Sequence, residues 1–376
     1  MRRYSSKKES KLSQINWLIV ALICLLGGLG IAMLYSAAGG NFSPWANRQA
    51  VLFTAAFVMM ITIAVTPNRW LLRYAYLTYF ACIILLLFVE LFGTKGMGAQ
   101  RWLNLGVFTL QPSELMKIAL IMALARYYHG LMAEDVSRPV MLIIPLLIIG
   151  LPVALILLQP NLGTATITGG IGAIILLAAG LKLRYFFAVG AMAMAAIPVG
   201  WQFLHDYQKQ RVMTFINPEA DPLGSGYNIM QSKIAIGSGG LFGKGFLNGS
   251  QGQLDFLPEK HTDFIFTMIA EEFGFTGASL VIITYTLIIV LGLATAVRSR
   301  SHFGGLVAIG VVAILILHVG INIAMVMGLL PVVGVPLPLL SYGGTMQFTM
   351  MAGFGLLLNS YVHRDVPIGK ISLSHF

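Results

Sequence analysis

Ten apolar runs, each about 16 to 25 residues long, succeed one another along this chain, most of them separated by short connections. That length suits a helix crossing a bilayer and is too great for a barrel strand of about 9 to 11 residues. In lipid the backbone amides must be satisfied internally, which leaves helices or a closed barrel. Composition agrees. Of the 376 residues, 57% are hydrophobic and 10% charged, whereas a soluble domain carries roughly 25% charge to solvate its surface. The expected fold is an all-α integral membrane protein with about ten transmembrane helices, at roughly 15–37, 48–66, 74–92, 113–128, 140–158, 164–180, 185–204, 264–297, 304–327 and 345–362.

The basic start, with Arg2, Arg3, Lys7, Lys8 and Lys11, resembles the head of a signal peptide. The first apolar run exceeds the roughly 7 to 15 residues of a signal core, and nine more runs follow, so it reads as a retained span. Lysine and arginine then set the orientation. Fifteen of the 24 fall in connections on the side of the N-terminus. Five of the other nine share one segment of about 60 residues, where the positive-inside count loses force. Both ends are expected in the cytoplasm. The organisation is a basic tail over 1–14, one polytopic domain over 15–362 and a C-terminal tail over 363–376. A long extracytoplasmic loop, 205–263, joins spans seven and eight.

This orientation places 93–112, 159–163, 205–263 and 331–344 on the outer side. The cytoplasmic connections are too short to hold a nucleotide-binding domain, which argues against ATP-coupled chemistry. The net charge of +10 is scattered, with no basic stripe or interleaved aromatics, so nucleic acid is not an expected partner. Cys24 and Cys82 lie inside apolar runs; they form no disulfide framework or metal spacing and read as small core residues.

Charged groups at membrane depth are costly and ask for a role. Glu114 and Lys117 open the fourth span three residues apart on one face. They can be a structural ion pair, or Lys117 can meet an anionic ligand in an outward cavity. In GAQRWLNLG, Trp102 reads as an interfacial anchor, while Arg101 beside it could clamp phosphate oxygens through its planar fork. GSGGLFGKG, 237–245, lacks the Ser or Thr of a phosphate loop and faces the side without nucleotides. It is a flexible or close-packed outer loop. Asp263, in PEKHTDFIF, stands where polar loop becomes apolar helix. Partial desolvation there raises a carboxyl toward the range of a useful base; a helix cap by Asp263 or Thr262 is the equally available structural reading. Glu271 and Glu272 lie deeper, where basic residues could pair with them. His318 and Asn322, one turn apart, read as interhelical hydrogen-bonding groups. In GLLPVVGVPLPLLSYGGT, 328–345, Pro331, Pro336 and Pro338 interrupt an apolar stretch. Irregular backbone at membrane depth is tolerated only when buried in protein or lining a cavity, so this segment marks a site.

These residues together resemble the SEDS family (shape, elongation, division and sporulation). The resemblance is carried by QRWLNLG and QPSELMKIA within 100–119, QPNLGTA at 159–165, the run 207–246, FLPEKHTDFIF at 256–266 and NIAMVMGLLPVVGVPLPLLSYGG at 322–344. The run 207–246 favours the branch that serves cell elongation over the one that serves division. The resemblance implies a peptidoglycan glycosyltransferase in the bacterial cytoplasmic membrane that polymerises lipid II, a disaccharide-peptide on undecaprenyl pyrophosphate. Its implied partners are a class B penicillin-binding protein transpeptidase and membrane proteins of the elongation complex. Asp263 matches the family's essential aspartate, as catalytic base. Arg101, Trp102, Glu114 and Lys117 match the family's charged and aromatic positions, and with Lys233 they make up the expected substrate-binding set. No organic cofactor is implied; a divalent cation, magnesium or manganese, is admitted at the pyrophosphate without any sequence basis for its identity. Asn161 stands where many relatives have Asp, which removes an acid from that position. Two rival readings share the many spans and broken segment: a lipid II flippase, and a non-catalytic scaffold for the penicillin-binding protein.

Overall fold

The structure, a computed structural model, describes residues 10–96, 99–104, 109–131, 134–203, 206–217, 225–250, 257 and 259–366. The start of the basic tail and residues 367–376 of the C-terminal tail lie outside the described residues. Helices α1 (Trp17–Ala37), α2 (Ala46–Val65), α3 (Asn68–Phe92), α4 (Pro112–His129), α5 (Pro139–Leu158), α6 (Leu162–Ala178) and α7 (Leu183–Phe203) follow a single turn at Lys11–Gln14. After α8 (Asp206–Ile216) and α9 (Ser225–Ser238) come α10 (Ile265–Arg298), α11 (His302–Val326) and α12 (Gly344–Val362). Every one of the ten expected spans coincides with a helix. Among the described residues six of these, α1, α2, α3, α5, α10 and α11, are long and apolar enough to cross a membrane. The molecule is a mostly helical, multi-pass membrane protein.

Burial divides the helices by role. α5 keeps most of its leucines and isoleucines on the outside, with Leu146, Leu147 and Leu158 exposed and Leu142 and Ile156 buried. α4 and α12 are instead buried almost all round. α11 is central: it packs against α4, α6, α10 and α12. A polar side chain inside such a bundle can find partners that lipid does not offer, and this is why α4 tolerates Glu114 and Lys117. Cys82 is buried as expected, but Cys24 lies on the exposed face of α1. That correction has a simple cause: α1 is apolar all round, so its composition does not distinguish core from lipid.

Two further departures concern the connecting segments. The chain is not strictly all-helical. Thr94–Gly96, Ala99–Asn104 and Thr109–Leu110 form strands β1, β2 and β3 of a small antiparallel sheet in the order β1-β2-β3. Pairing satisfies backbone groups that the glycine-rich connection would otherwise leave open. Residues 205–263 are not simply a loop, since α8 and α9 lie within them.

The glycine-rich stretch 237–245 is close-packed against a break in α10. Gly274 has φ +65°, a left-handed conformation that interrupts the helix. The break frees carbonyls on one side and amides on the other. The Glu271 and Glu272 carbonyls accept from the amides of Lys244 and Gly245, both at 3.0 Å, while the Phe275 and Thr276 amides donate to the Gly240 and Leu241 carbonyls at 2.9 and 3.1 Å. A Cβ on Gly274 would lie 2.3 Å from the Gly243 nitrogen, so the two bends lock only because both positions are glycine. Side chains reinforce the join: Lys244 pairs with Glu271 at 2.7 Å, and Ser36 donates to Glu272.

Candidate active site

Asp263 immediately precedes α10. Phe264 is the cap residue, and no side chain caps the helix. The Thr262 hydroxyl donates instead to the Glu259 carboxylate at 2.8 Å. The capping reading of Asp263 and Thr262 is therefore corrected, because an acid–hydroxyl pair within the preceding turn takes the available hydroxyl. The Asp263 carboxyl is half-buried. Burial pushes it up to about 7, with the Glu259 carboxylate adding to the push and Arg211 opposing it.

The broken segment between α11 and α12 forms a wall beside this carboxyl. A Cβ on Gly334 would come within 3.5 Å of Asp263 Oδ2. The segment's backbone is satisfied by side chains from four directions. Asn322 Nδ2 donates to the Val335 carbonyl at 2.7 Å and to the Asp263 carbonyl at 2.8 Å. Tyr285 donates to the Pro338 carbonyl, and Gln49 donates to that of Ser341 at 3.2 Å. Ser341 donates to the Thr262 carbonyl at 2.6 Å and accepts from the Leu337 amide at 2.8 Å. The Tyr342 amide donates to the His261 carbonyl at 2.9 Å. Over 335–341 the irregular backbone is mostly buried in protein, while 331–334 is more open. Asn322 thereby joins the wall to the backbone of the acid.

One turn back along α11, about 6 Å by helical rise, His318 Nε2 lies 2.9 Å from Lys117 Nζ. Lys117 also pairs with Glu114 at 2.8 Å, and the two side chains are 1% and 9% exposed. So shallow a residual exposure makes this a buried ion pair, whose Coulombic attraction must offset a large desolvation cost. Glu114 Oε2 is buried without a hydrogen-bond partner among the described residues. His318 and Asn322 do reach other elements, as expected of polar groups in an apolar helix. Their particular partners went unforeseen: each holds a different candidate group. The four-residue spacing places both on one face of α11, but nothing in it names partners 201 and 59 positions away.

The remaining candidates approach from the connections. Arg101, on β2, donates through Nη2 to the Pro160 carbonyl at 2.7 Å. Trp102 follows it, half-buried, paired in the sheet with Thr94. Asn161 caps α6 by accepting from the Thr164 amide at 3.4 Å, a duty that Asn and Asp perform about equally. The start of α6 abuts the broken segment, since a Cβ on Gly163 would sit 3.0 Å from the Val333 carbonyl oxygen. Arg101 is thereby connected to the wall beside Asp263. Lys233, exposed on α9, lays its ammonium over Gly328 at the end of α11. Its neighbour Ser232 bonds the Val326 carbonyl at 2.8 Å and lies 2.7 Å from the Thr267 hydroxyl, one turn after Asp263. Sequence reading did not anticipate Trp45, whose ring stacks on His261 at 4.4 Å.

A family model described as cell cycle protein, FtsW/RodA/SpoVE, matches residues 16–365. The chain belongs to this family. It is the SEDS family that the motifs resemble. Over 337 residues the chain is 45% identical to the peptidoglycan glycosyltransferase MrdB of Escherichia coli strain K12, covering 89% of this chain and 90% of that one. A chain of a peptidoglycan synthase complex, solved for the structural coordination of polymerization and crosslinking, superposes with a TM-score of 0.81 at 30% identity. It covers 93% of this chain and 98% of its own length. The rod shape determining protein RodA of Thermus thermophilus superposes with a TM-score of 0.71 at 29% identity, over 93% and 97%. Likeness to a RodA agrees with the elongation branch expected of this SEDS protein. Among the described residues no group of three or more His, Cys, Asp or Glu side chains could hold a metal ion.

Proposed function

We propose that this chain is a peptidoglycan glycosyltransferase that polymerises lipid II at the outer face of the bacterial cytoplasmic membrane during cell elongation and shape maintenance. The observation that carries the reading is Asp263. It is a carboxyl raised to about 7, fixed through its own backbone to the wall of a broken membrane segment, in a chain similar to a named glycosyltransferase. A base of that strength accepts a proton at neutral pH and still releases it readily.

In this reading Asp263 takes the proton from the 4-hydroxyl of the acceptor's GlcNAc. The oxygen attacks C1 of the donor's MurNAc, and the bond to undecaprenyl pyrophosphate breaks as the new bond forms. An α-linked donor and a β-linked product make this one inverting displacement. Negative charge grows on the departing pyrophosphate, where Lys117 and Arg101 would oppose it. Glu114 pairs with Lys117 at 2.8 Å, while Trp102 and Lys233 would contact the substrate at the outer boundary. A magnesium or manganese ion would take its ligands largely from pyrophosphate oxygens and water.

Ten spans with both ends in the cytoplasm put Asp263 on the side where lipid II is consumed. Fifteen of the 24 basic residues on the inner side support that topology. A class B penicillin-binding protein is the expected partner, supported by the likeness to a chain of a peptidoglycan synthase complex; other elongation-complex membrane proteins would join it. The test is purified lipid II incubated with this protein and its cognate penicillin-binding protein, transpeptidation blocked and no other glycosyltransferase present. Glycan ladders are expected. Transbilayer movement of lipid II in vesicles without any polymer would overturn the reading in favour of a flippase.

A further inference from the structure

His318 has no part in the family resemblance and belongs to a helix with no other charged or titratable group near its middle. Its two ring nitrogens are nonetheless both engaged. Nδ1 lies 2.9 Å from the Ile314 carbonyl oxygen, which can only accept. Nδ1 must therefore carry the proton, and the lone pair of a neutral imidazole is left on Nε2. Nε2 lies 2.9 Å from Lys117 Nζ, so the ammonium donates to it. A second ammonium hydrogen goes to Glu114 Oε1 at 2.8 Å. Lysine has three donors on a flexible four-carbon stem. Two are taken by acceptors on different helices, so the third has its direction set.

We propose that His318 is a positioning residue of the glycosyl transfer, an acceptor that orients the Lys117 ammonium so that its remaining N–H meets the leaving pyrophosphate. The inference rests on the reading of the chain as a glycosyltransferase. Glu114 alone leaves the ammonium free to swing about one contact; Glu114 and His318 together define its position. The same face of α11 carries Asn322, which holds the Asp263 backbone. One helical turn thereby sets the separation between the group that takes the proton and the group that meets the leaving charge. His318 is not a proton carrier in this arrangement, because neither ring nitrogen is open to substrate.

A role in packing and a role in positioning predict opposite orders among substitutions. Glutamine keeps an acceptor at about the place of Nε2; leucine and phenylalanine fill the space without one. Lipid II polymerisation is measured for wild type, His318→Gln, His318→Leu and His318→Phe, each as the assembled complex with the penicillin-binding protein. Positioning predicts that Gln stays within about threefold of wild type while Leu and Phe lose about 10- to 100-fold, in kcat more than in KM. Leu or Phe equal to wild type, or superior to Gln, would overturn the inference while leaving the polymerase reading intact. If Leu fails to assemble, the comparison of Gln with Phe decides. A wild type that makes no polymer would instead remove the glycosyltransferase reading itself.

Discussion

Asp263 is a carboxyl whose surroundings disfavour its charge, and this has consequences for rate and for stability. In the proposed role of base it would work only when ionised. Polymerisation should therefore rise with pH through a limb centred near 7, and the limb should be absent from the residual rate of Asp263→Asn. Stability runs the other way. A folded value of about 7 against an ordinary 3.8 means that the fold prefers the protonated acid. The contribution is full below about pH 4 and is lost as pH rises through 7. Asp263→Asn should then melt higher than wild type at pH 8 and show no such gain at pH 4, measured by thermal unfolding in detergent. The position of this acid at the entrance to a helix was legible in PEKHTDFIF. Its neighbours were not: Asn322 and the acid it holds are 59 positions apart, and His318 and Lys117 are separated by 201. Local spacing carries no trace of such pairs.

At the scale of elements, the molecule handles broken backbone by giving each freed group a partner of its own. The interlocked bends of 237–245 and α10 do this with four main-chain hydrogen bonds. Gly274→Ala would place a side chain at φ +65° against the Gly243 backbone, and should cost about 1 to 3 kcal/mol from backbone strain alone. A fall in the melting temperature checks this, and an unchanged value would show that the join relaxes. The broken segment 331–344 relies on side chains as well as main chain. Asn322→Leu should leave the buried Val335 carbonyl open, at about 1 to 3 kcal/mol, together with the part-buried Asp263 carbonyl, and should lower polymerisation more than Gly274→Ala does, because it releases Asp263. Prolines announced the break in this segment at the level of sequence. The small sheet in 94–110 was missed because strands of two to six residues leave too few positions for a period to register.

For the whole molecule, apolar run length was enough to locate ten helices, since lipid imposes one solution on the backbone. Which helices face lipid was hidden, because Cys24 and Cys82 sit in runs of similar composition and only the second is buried. The topology gives a direct check. A cysteine introduced at the exposed Lys182 should react only from the cytoplasmic side, and one at the exposed Asn248 only from outside; labelling of both from one side would reverse or break the proposed order of spans. An outer-face polymerase whose base is Asp263 must fail when that carboxylate is removed. The most direct measurement is polymerisation of lipid II by wild type and Asp263→Asn, each in a verified complex with the transpeptidase blocked. The account predicts ladders from wild type and a loss of about two to four orders of magnitude in the variant, with assembly and lipid II binding retained. Equal polymer from the two proteins would contradict it.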